Sequence, residues 1–249
     1  LFALVATDPL VNPLFGTLAA DVASHVVTGS DAEAGRRLES RLSVWRSALR
    51  PRKELLSRTE VLGLWGELHA VLYLADTLTP DLAVAMWAGP ESGIHDFVGN
   101  GIGLECKAQT GADPALRVSS LEQLDPSGLR RLAVRRLRLT EAPNGRSLAD
   151  MVAETRSRIG GWDLERKLAL AGWRDADAGA HSEPRFVVVD ETMFDVRPGF
   201  PSLIRASVPV GILDATYRID PQLLDEFKLA ASDARQLIFE LGGADGKGA

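Results

Sequence analysis

The chain has 249 residues, 45% of them apolar and 25% charged, an ordinary composition for a soluble globular protein and one that excludes a disordered tail. A formal net charge of −6 argues against a chain that coats nucleic acid non-specifically, because such binding depends on Lys and Arg. The single cysteine, Cys106, excludes an internal disulfide and a multi-cysteine zinc site, and with no basic leader and no apolar run of the ~20 residues that a membrane helix needs, the expectation is a cytoplasmic protein off the membrane.

In residues 30–50, Leu38, Leu42, Trp45 and Leu49 recur at spacings of three and four, which predicts an amphipathic helix ended by Pro51. Ser57-Arg58-Thr59-Glu60 reads as a capping box opening a second helix, whose apolar face runs Val61, Leu64, Trp65, Leu68, Val71, Leu72 and Ala75 up to "TLTPD". After Pro90 the pattern changes to short strands around Asn100-Gly101, the strongest short hairpin signal, since both turn positions tolerate positive φ. A turn element, "SSLEQLDPSG", leads to Leu132–Leu139, where Leu137 and Leu139 alternate with Arg136 and Arg138; this predicts a strand with one wet basic face. "SLADMVAETRSRI" and "WDLERKLALAG" read as helices, the second closed by Gly172, and "RFVVVD", "MFDV", "VGIL" and "TYRI" as short strands. Asp220-Pro221 supplies a cap and a first-turn proline for a last helix with Leu223, Leu224, Phe227, Ala230, Ala231 and Leu237 on its apolar side. The elements make one α/β domain: residues 1–56 a helical lead-in, residues 57–220 the core, and residues 221–249 a closing helix and tail.

With Asn100 and Gly101 as turn residues, Phe97 faces Leu104 and Asp96 faces Glu105. Alternation then puts Asp96, Glu105 and Lys107 on one face, with Phe97, Leu104, His95 and Cys106 on the other. Directly opposed carboxylates are unfavourable unless a cation lies between them, and hard oxygen donors at that separation suit Mg²⁺, with Mn²⁺ as a substitute. A three-residue turn would slip the register and spoil the pairing. Glu-x-Lys recurs at Glu165–Lys167 and Glu226–Lys228, but both fall in predicted helices, where i and i+2 point to different sides. Only Glu105-Cys106-Lys107 lies on a strand with an acid opposite; the competing reading is an exposed cross-strand ion pair.

Asp96 followed by Glu105-Cys106-Lys107 on the next strand resembles the PD-(D/E)XK nuclease superfamily. "GLWGELHAVLYL", "WAGP", "HDFV", "LECKA", "RVSSLEQLD" and "FPSL" followed by "VGILDATYRID" are similar to a bacterial family named only "PD-(D/E)XK motif protein", over most of the chain. The resemblance implies a restriction-endonuclease-like fold, a mixed central β-sheet flanked by helices. It implies a metal-dependent phosphodiesterase acting on DNA in a restriction or phage-defence setting, with partner proteins of a defence system. Asp96 and Glu105 would bind the metal, the carbonyl of Cys106 would add a ligand, and Lys107 would orient or deprotonate the attacking water. Glu67, at the border of its helix's apolar stripe, would present a further acid; alternatively it is a solvated helical glutamate. Gln123 stands where related nucleases place a polar residue, or else closes a capping box with Ser120. The chain departs from the family pattern at His95, which replaces proline and reads as a packed core imidazole.

For a Mg²⁺-dependent DNA endonuclease, Arg130, Arg131, Arg135, Arg136 and Arg138 are expected to grip the phosphate backbone; the alternative is a basic strand edge that blunts aggregation. Cutting both strands of a duplex with one site per chain implies a homodimer. The rival from another class is a non-cleaving nuclease-fold module that binds nucleic acid or docks a partner.

Overall fold

The computed structural model describes residues 12–27, 38, 42, 55–91, 93–111 and 115–243. Helix α1 spans Asn12–Val27. The helix expected over residues 30–50 lies largely outside the described residues; Leu38 and Leu42 are helical and pack against Leu18 and Val22 of α1.

Helix α2 spans Arg58–Thr77 and begins at the expected capping box, with the Ser57 side chain accepting from the Glu60 N–H and the Glu60 carboxylate accepting from the Ser57 N–H. Thr79 caps the short helix α3, Pro80–Met86, whose first residue is the proline. Strand β1, Phe97–Gly99, and strand β2, Ile102–Thr110, form the hairpin. Its register is the expected one, Phe97 opposite Leu104 and Gly99 opposite Ile102. Asn100 and Gly101 occupy the turn with φ of 47° and 73°, so the local chemistry of Asn-Gly fixed the pairing.

β2 then pairs in parallel with the long strand β4, Arg131–Arg146, and β4 pairs antiparallel with β5, Phe186–Asp195. The result is a four-stranded mixed sheet in the order β1-β2-β4-β5. The crossover from β2 to β4 carries β3, Leu116–Val118, which pairs with β6, Tyr217–Ile219, in a separate two-stranded sheet. Helices α4, Leu148–Arg158, α5, Trp162–Leu170, and α6, Ala231–Leu241, follow along the chain.

Side-chain alternation divides the core between the two faces of the central sheet. Leu104, Ala133 and Leu137 pack with residues of α2, α4, α5 and α6. Leu132, Val134 and Phe194, on the other face, pack under β3, β6 and the segment around Leu224 and Phe227. This is the restriction-endonuclease-like arrangement of a mixed sheet flanked by helices. α2 lies unusually close to β2: a Cβ on Gly66 would stand 2.7 Å from the Cβ of Ala108. No helix among the described residues is long and apolar enough to cross a membrane.

Several expectations need correction. β4 has no wet basic face: Arg135 is 0% and Arg136 7% exposed, since apolar layers cover both sides of a central strand. "RFVVVD" and "MFDV" are one strand, and "VGIL" is not a strand. Asp220 caps a turn as expected, accepting from the Gln222 N–H, but it opens a 3₁₀ stretch, Pro221–Phe227, rather than one long helix. The Leu229 N–H donates to the Met193 carbonyl and Lys228 bridges to Phe194, so pairing with β5 interrupts the helix before α6.

Candidate active site

The site forms where β1 ends and β2 continues. The chain bends over residues 94–96, so Asp96 leaves the ladder; its Oδ2 accepts from the Cys106 N–H at 2.7 Å. Its backbone carbonyl accepts from the Ala88 and Gly89 N–H groups at 2.8 and 3.0 Å. Asp96 is thus held from both sides by backbone donors.

Glu105 and Lys107, two residues apart on β2, share a face as expected, and Lys107 Nζ stands 2.6 Å from Glu105 Oε1. The same ammonium donates to Gln123 Oε1 at 2.9 Å, and that oxygen also accepts from the Ser119 N–H at 2.8 Å. Gln123 therefore stands at the site and closes no helix: residues 119–125 are turns. Glu67 reaches the site from α2, where Oε2 accepts from the Trp87 indole N–H at 2.7 Å. A Cβ on Gly89 would lie 3.0 Å from Glu67 Oε2 and 3.3 Å from Asp96 Oδ1, so both carboxyl groups converge on a glycine-lined hollow.

The structure thus brings Asp96, Glu105, Lys107, Glu67 and Gln123 together. His95 is buried at 6% exposure, as a packed imidazole, but on the side opposite to the one expected. Its ring lies by Gly103 and Leu132 and is hydrogen-bonded to the Gln123 backbone, because the bend at residues 94–96 breaks the alternation. Burial lowers its pKa, so it packs as a neutral ring against the loop that carries Gln123.

Charge in this pocket is unbalanced, with three carboxyl groups around one ammonium. Burial, then repulsion from Asp96, pushes both Glu67 and Glu105 up to about 8. Burial also raises Asp96, against the Cys106 N–H and Lys107, which hold it down. Glu105 Oε2 is buried without a hydrogen-bond partner among the described residues. An orphaned carboxylate oxygen beside like charges is a costly arrangement that a cation would relieve. Among the described residues no three His, Cys, Asp or Glu side chains form a ready cage. What the pocket offers is a small set of hard oxygen donors, the set that Mg²⁺ or Mn²⁺ uses alongside waters and phosphate oxygens.

The arginines of β4 separate into distinct roles. Arg135 Nε donates to Glu191 of β5 at 2.8 Å, while its guanidinium points to α2, with a terminal nitrogen 3.1 Å from His69 Nδ1 and its carbon 4.7 Å from the Tyr73 ring centroid. Arg131 pairs with Asp195 at 2.9 Å, and Arg130 is exposed but donates to the Asn100 carbonyl. Arg136 lies beside Lys107 in the parallel register, on the same face, and pairs with the part-exposed Asp190 at 2.9 Å. Arg138, two residues on and beside Gln109, is half-buried on that face. Arg136 and Arg138 thus lie on the Lys107 face, Arg136 buried against Asp190 and Arg138 the more exposed of the two.

A family model described as "Putative PD-(D/E)XK family member, (DUF4420)" matches residues 1–222. The chain belongs to this family. Comparison with curated proteins and with solved structures returned no match. Membership in a PD-(D/E)XK family makes nuclease-type chemistry the general expectation. Sequence reasoning passed over Trp87 and Gly89 as parts of the site, although "WAGP" was the available signal: a tryptophan and a glycine next to a proline, just ahead of the bend that carries Asp96.

Proposed function

We propose that the chain is a Mg²⁺-dependent endonuclease that hydrolyses phosphodiester bonds in DNA, working in a restriction or phage-defence system. The observation that carries this reading is the ammonium of Lys107 held between Glu105 Oε1 and Gln123 Oε1, at 2.6 and 2.9 Å, beside an Asp96 fixed by the Cys106 N–H. Asp96 and Glu105 are the residues that would hold the ion. The Cys106 carbonyl would join them, because a strand residue directs its N–H and C=O to the same side and the N–H already meets Asp96. When bound, the ion supplies Lewis-acid polarisation of a phosphoryl oxygen and a lowered pKa for water.

The protein's own residues do the positioning. Lys107, with two of its three donors taken by Glu105 and Gln123, keeps a third for a water or a phosphate oxygen. Glu67, bonded to Trp87, adds an acid at the Gly89 hollow. Arg138 continues the Lys107 face and would meet a backbone phosphate, a contact that positions a duplex without reading its sequence, while Arg136 stays buried against Asp190. Cutting both strands with one such site calls for a homodimer, and a defence-system partner would supply target choice.

The deciding experiment incubates the chain with plasmid, single-stranded DNA and RNA, with and without Mg²⁺, beside Asp96→Ala and Lys107→Ala. Cleavage of DNA that needs the ion and vanishes in both folded variants is expected. Wild-type rates in both variants would remove the assignment.

One observation favours the second reading, a non-cleaving module: Glu105 is only 1% exposed. The two readings part in a metal titration. Mg²⁺ or Mn²⁺ that raises the melting temperature of the wild type but not of Asp96→Asn supports the nuclease.

A further inference from the structure

A second lysine, Lys167, is buried far from the sequence motif, with 1% of its surface exposed. It sits on α5, and its Nζ donates to the carbonyls of Val84 at 2.6 Å, Ala85 at 3.3 Å and Trp87 at 2.7 Å. These carbonyls belong to the last turn of α3 and its cap residue, at the partially negative end of the helix, and a three-donor ammonium matches them; that of Val84 also accepts from the Trp87 N–H at 3.1 Å. Glu91 and Asp163 lie 3.4 and 3.9 Å from the same nitrogen. Burying a cation is costly without such partners, so this placement specifies more than packing.

What the lysine holds leads directly to the acids. The indole N–H of Trp87 donates to Glu67, Trp87 bridges to Phe97 at the edge of β1, and the next two N–H groups, of Ala88 and Gly89, donate to the Asp96 carbonyl. From the Lys167 ammonium to the Glu67 carboxyl is one hydrogen bond, one residue and a second hydrogen bond.

We propose that Lys167 is a positioning residue for the acidic side of the site: by capping α3 it sets the Trp87–Gly89 segment so that Glu67 and Asp96 converge on Gly89. Its bearing on catalysis rests on the nuclease reading above, whereas the positioning itself does not.

The test monitors the tryptophan indole signals of the full-length ¹⁵N-labelled chain by NMR. Trp87→Phe assigns the Trp87 signal, and Glu67→Gln shows how it responds when its acceptor changes. In Lys167→Met the Trp87 signal is expected to move and its exchange with water to quicken about tenfold, as a local opening would cause. The indoles of Trp65 and Trp173, held by the Arg146 carbonyl and by Asp175, should stay in place. Lys167→Arg keeps the charge without the compact three-way donor, is expected to give an intermediate shift, and stands in for the Met variant if that fails to fold. With DNA, kcat should fall by about ten- to a hundredfold with KM unchanged, and Trp87→Phe should add little to it, since the two act in series. A folded Lys167 variant whose Trp87 signal does not move overturns the proposal. If the wild type cleaves nothing while that signal moves as expected, the nuclease reading falls and the positioning role stands.

Discussion

Helix α2 contains two glycines three residues apart that should respond oppositely to the same substitution. Gly63 is exposed, with nothing within 4 Å of an added Cβ, so Gly63→Ala gains only the helix-propensity difference, about 0.5–1 kcal/mol. At Gly66 the added Cβ would stand 2.7 Å from the Ala108 Cβ, inside contact distance, on a strand that cannot give way. Overpacking of that kind costs about 1–3 kcal/mol, which outweighs the same propensity gain. The two variants should therefore straddle the wild type in urea unfolding, separated by about 1–3 kcal/mol. The clash is with one methyl group, so Ala108→Gly should rescue Gly66→Ala, with a coupling of about that size in a double-mutant cycle. Because Glu67 is the next residue, Gly66→Ala should also depress DNA cleavage at temperatures where it remains folded. Equal stabilisation by both alanines, or zero coupling with Ala108, would refute the close packing of α2 on β2.

Acid stability should report His69. Its ring stacks on Trp65 with centroids 5.3 Å apart, and Nδ1 accepts from Arg135, which can only donate. Burial, then the charge of Arg135, pulls its pKa from the ordinary 6.5 to about 3. The unfolded chain then takes up a proton that the folded one refuses. Stability is therefore untouched above about 6.5 and falls as pH drops from there toward about 3, by up to ~1.4 kcal/mol per pH unit. His69→Gln should flatten that slope in urea titrations, and matching slopes would sink the argument. Gln123→Ala removes an acceptor of the Lys107 ammonium and of the Ser119 N–H, so the melting temperature should fall by a few degrees and kcat by about tenfold or more; an unaltered kcat would free Gln123 from the site. Arg138→Ala should lower the slope of log Kd for DNA against log salt by about 1, measured without a divalent ion; an unchanged slope would place the duplex elsewhere.

The hairpin and the cap of α2 were legible because their causes are local: Asn100-Gly101 fixes its own turn, and Ser57 and Glu60 satisfy each other three residues apart. Counting from the turn paired Phe97 with Leu104 but not Asp96 with Glu105, since the bend over residues 94–96 takes Asp96 out of the ladder and onto the Cys106 N–H. The β4 arginines were misread because what buries them is remote: Glu191 and Asp190 lie on a strand that joins β4 only in the fold. Lys167 was set aside for a sound reason, its helical spacing from Glu165, yet its partners are backbone carbonyls, which no side-chain pattern discloses. The face of His95 went wrong at a bend that alternation does not anticipate.

The parallel pairing of β2 with β4 has a last consequence. A parallel neighbour cannot be reached by a tight turn, so the chain must travel back along the sheet before β4 begins. On that return trip it lays Ser119 and Gln123 across the lysine. What leans over the reactive end is thus dictated by a detour rather than by the scaffold. Residues 115–130 are where lineages could exchange one preference for another while the strands beneath stay as they are.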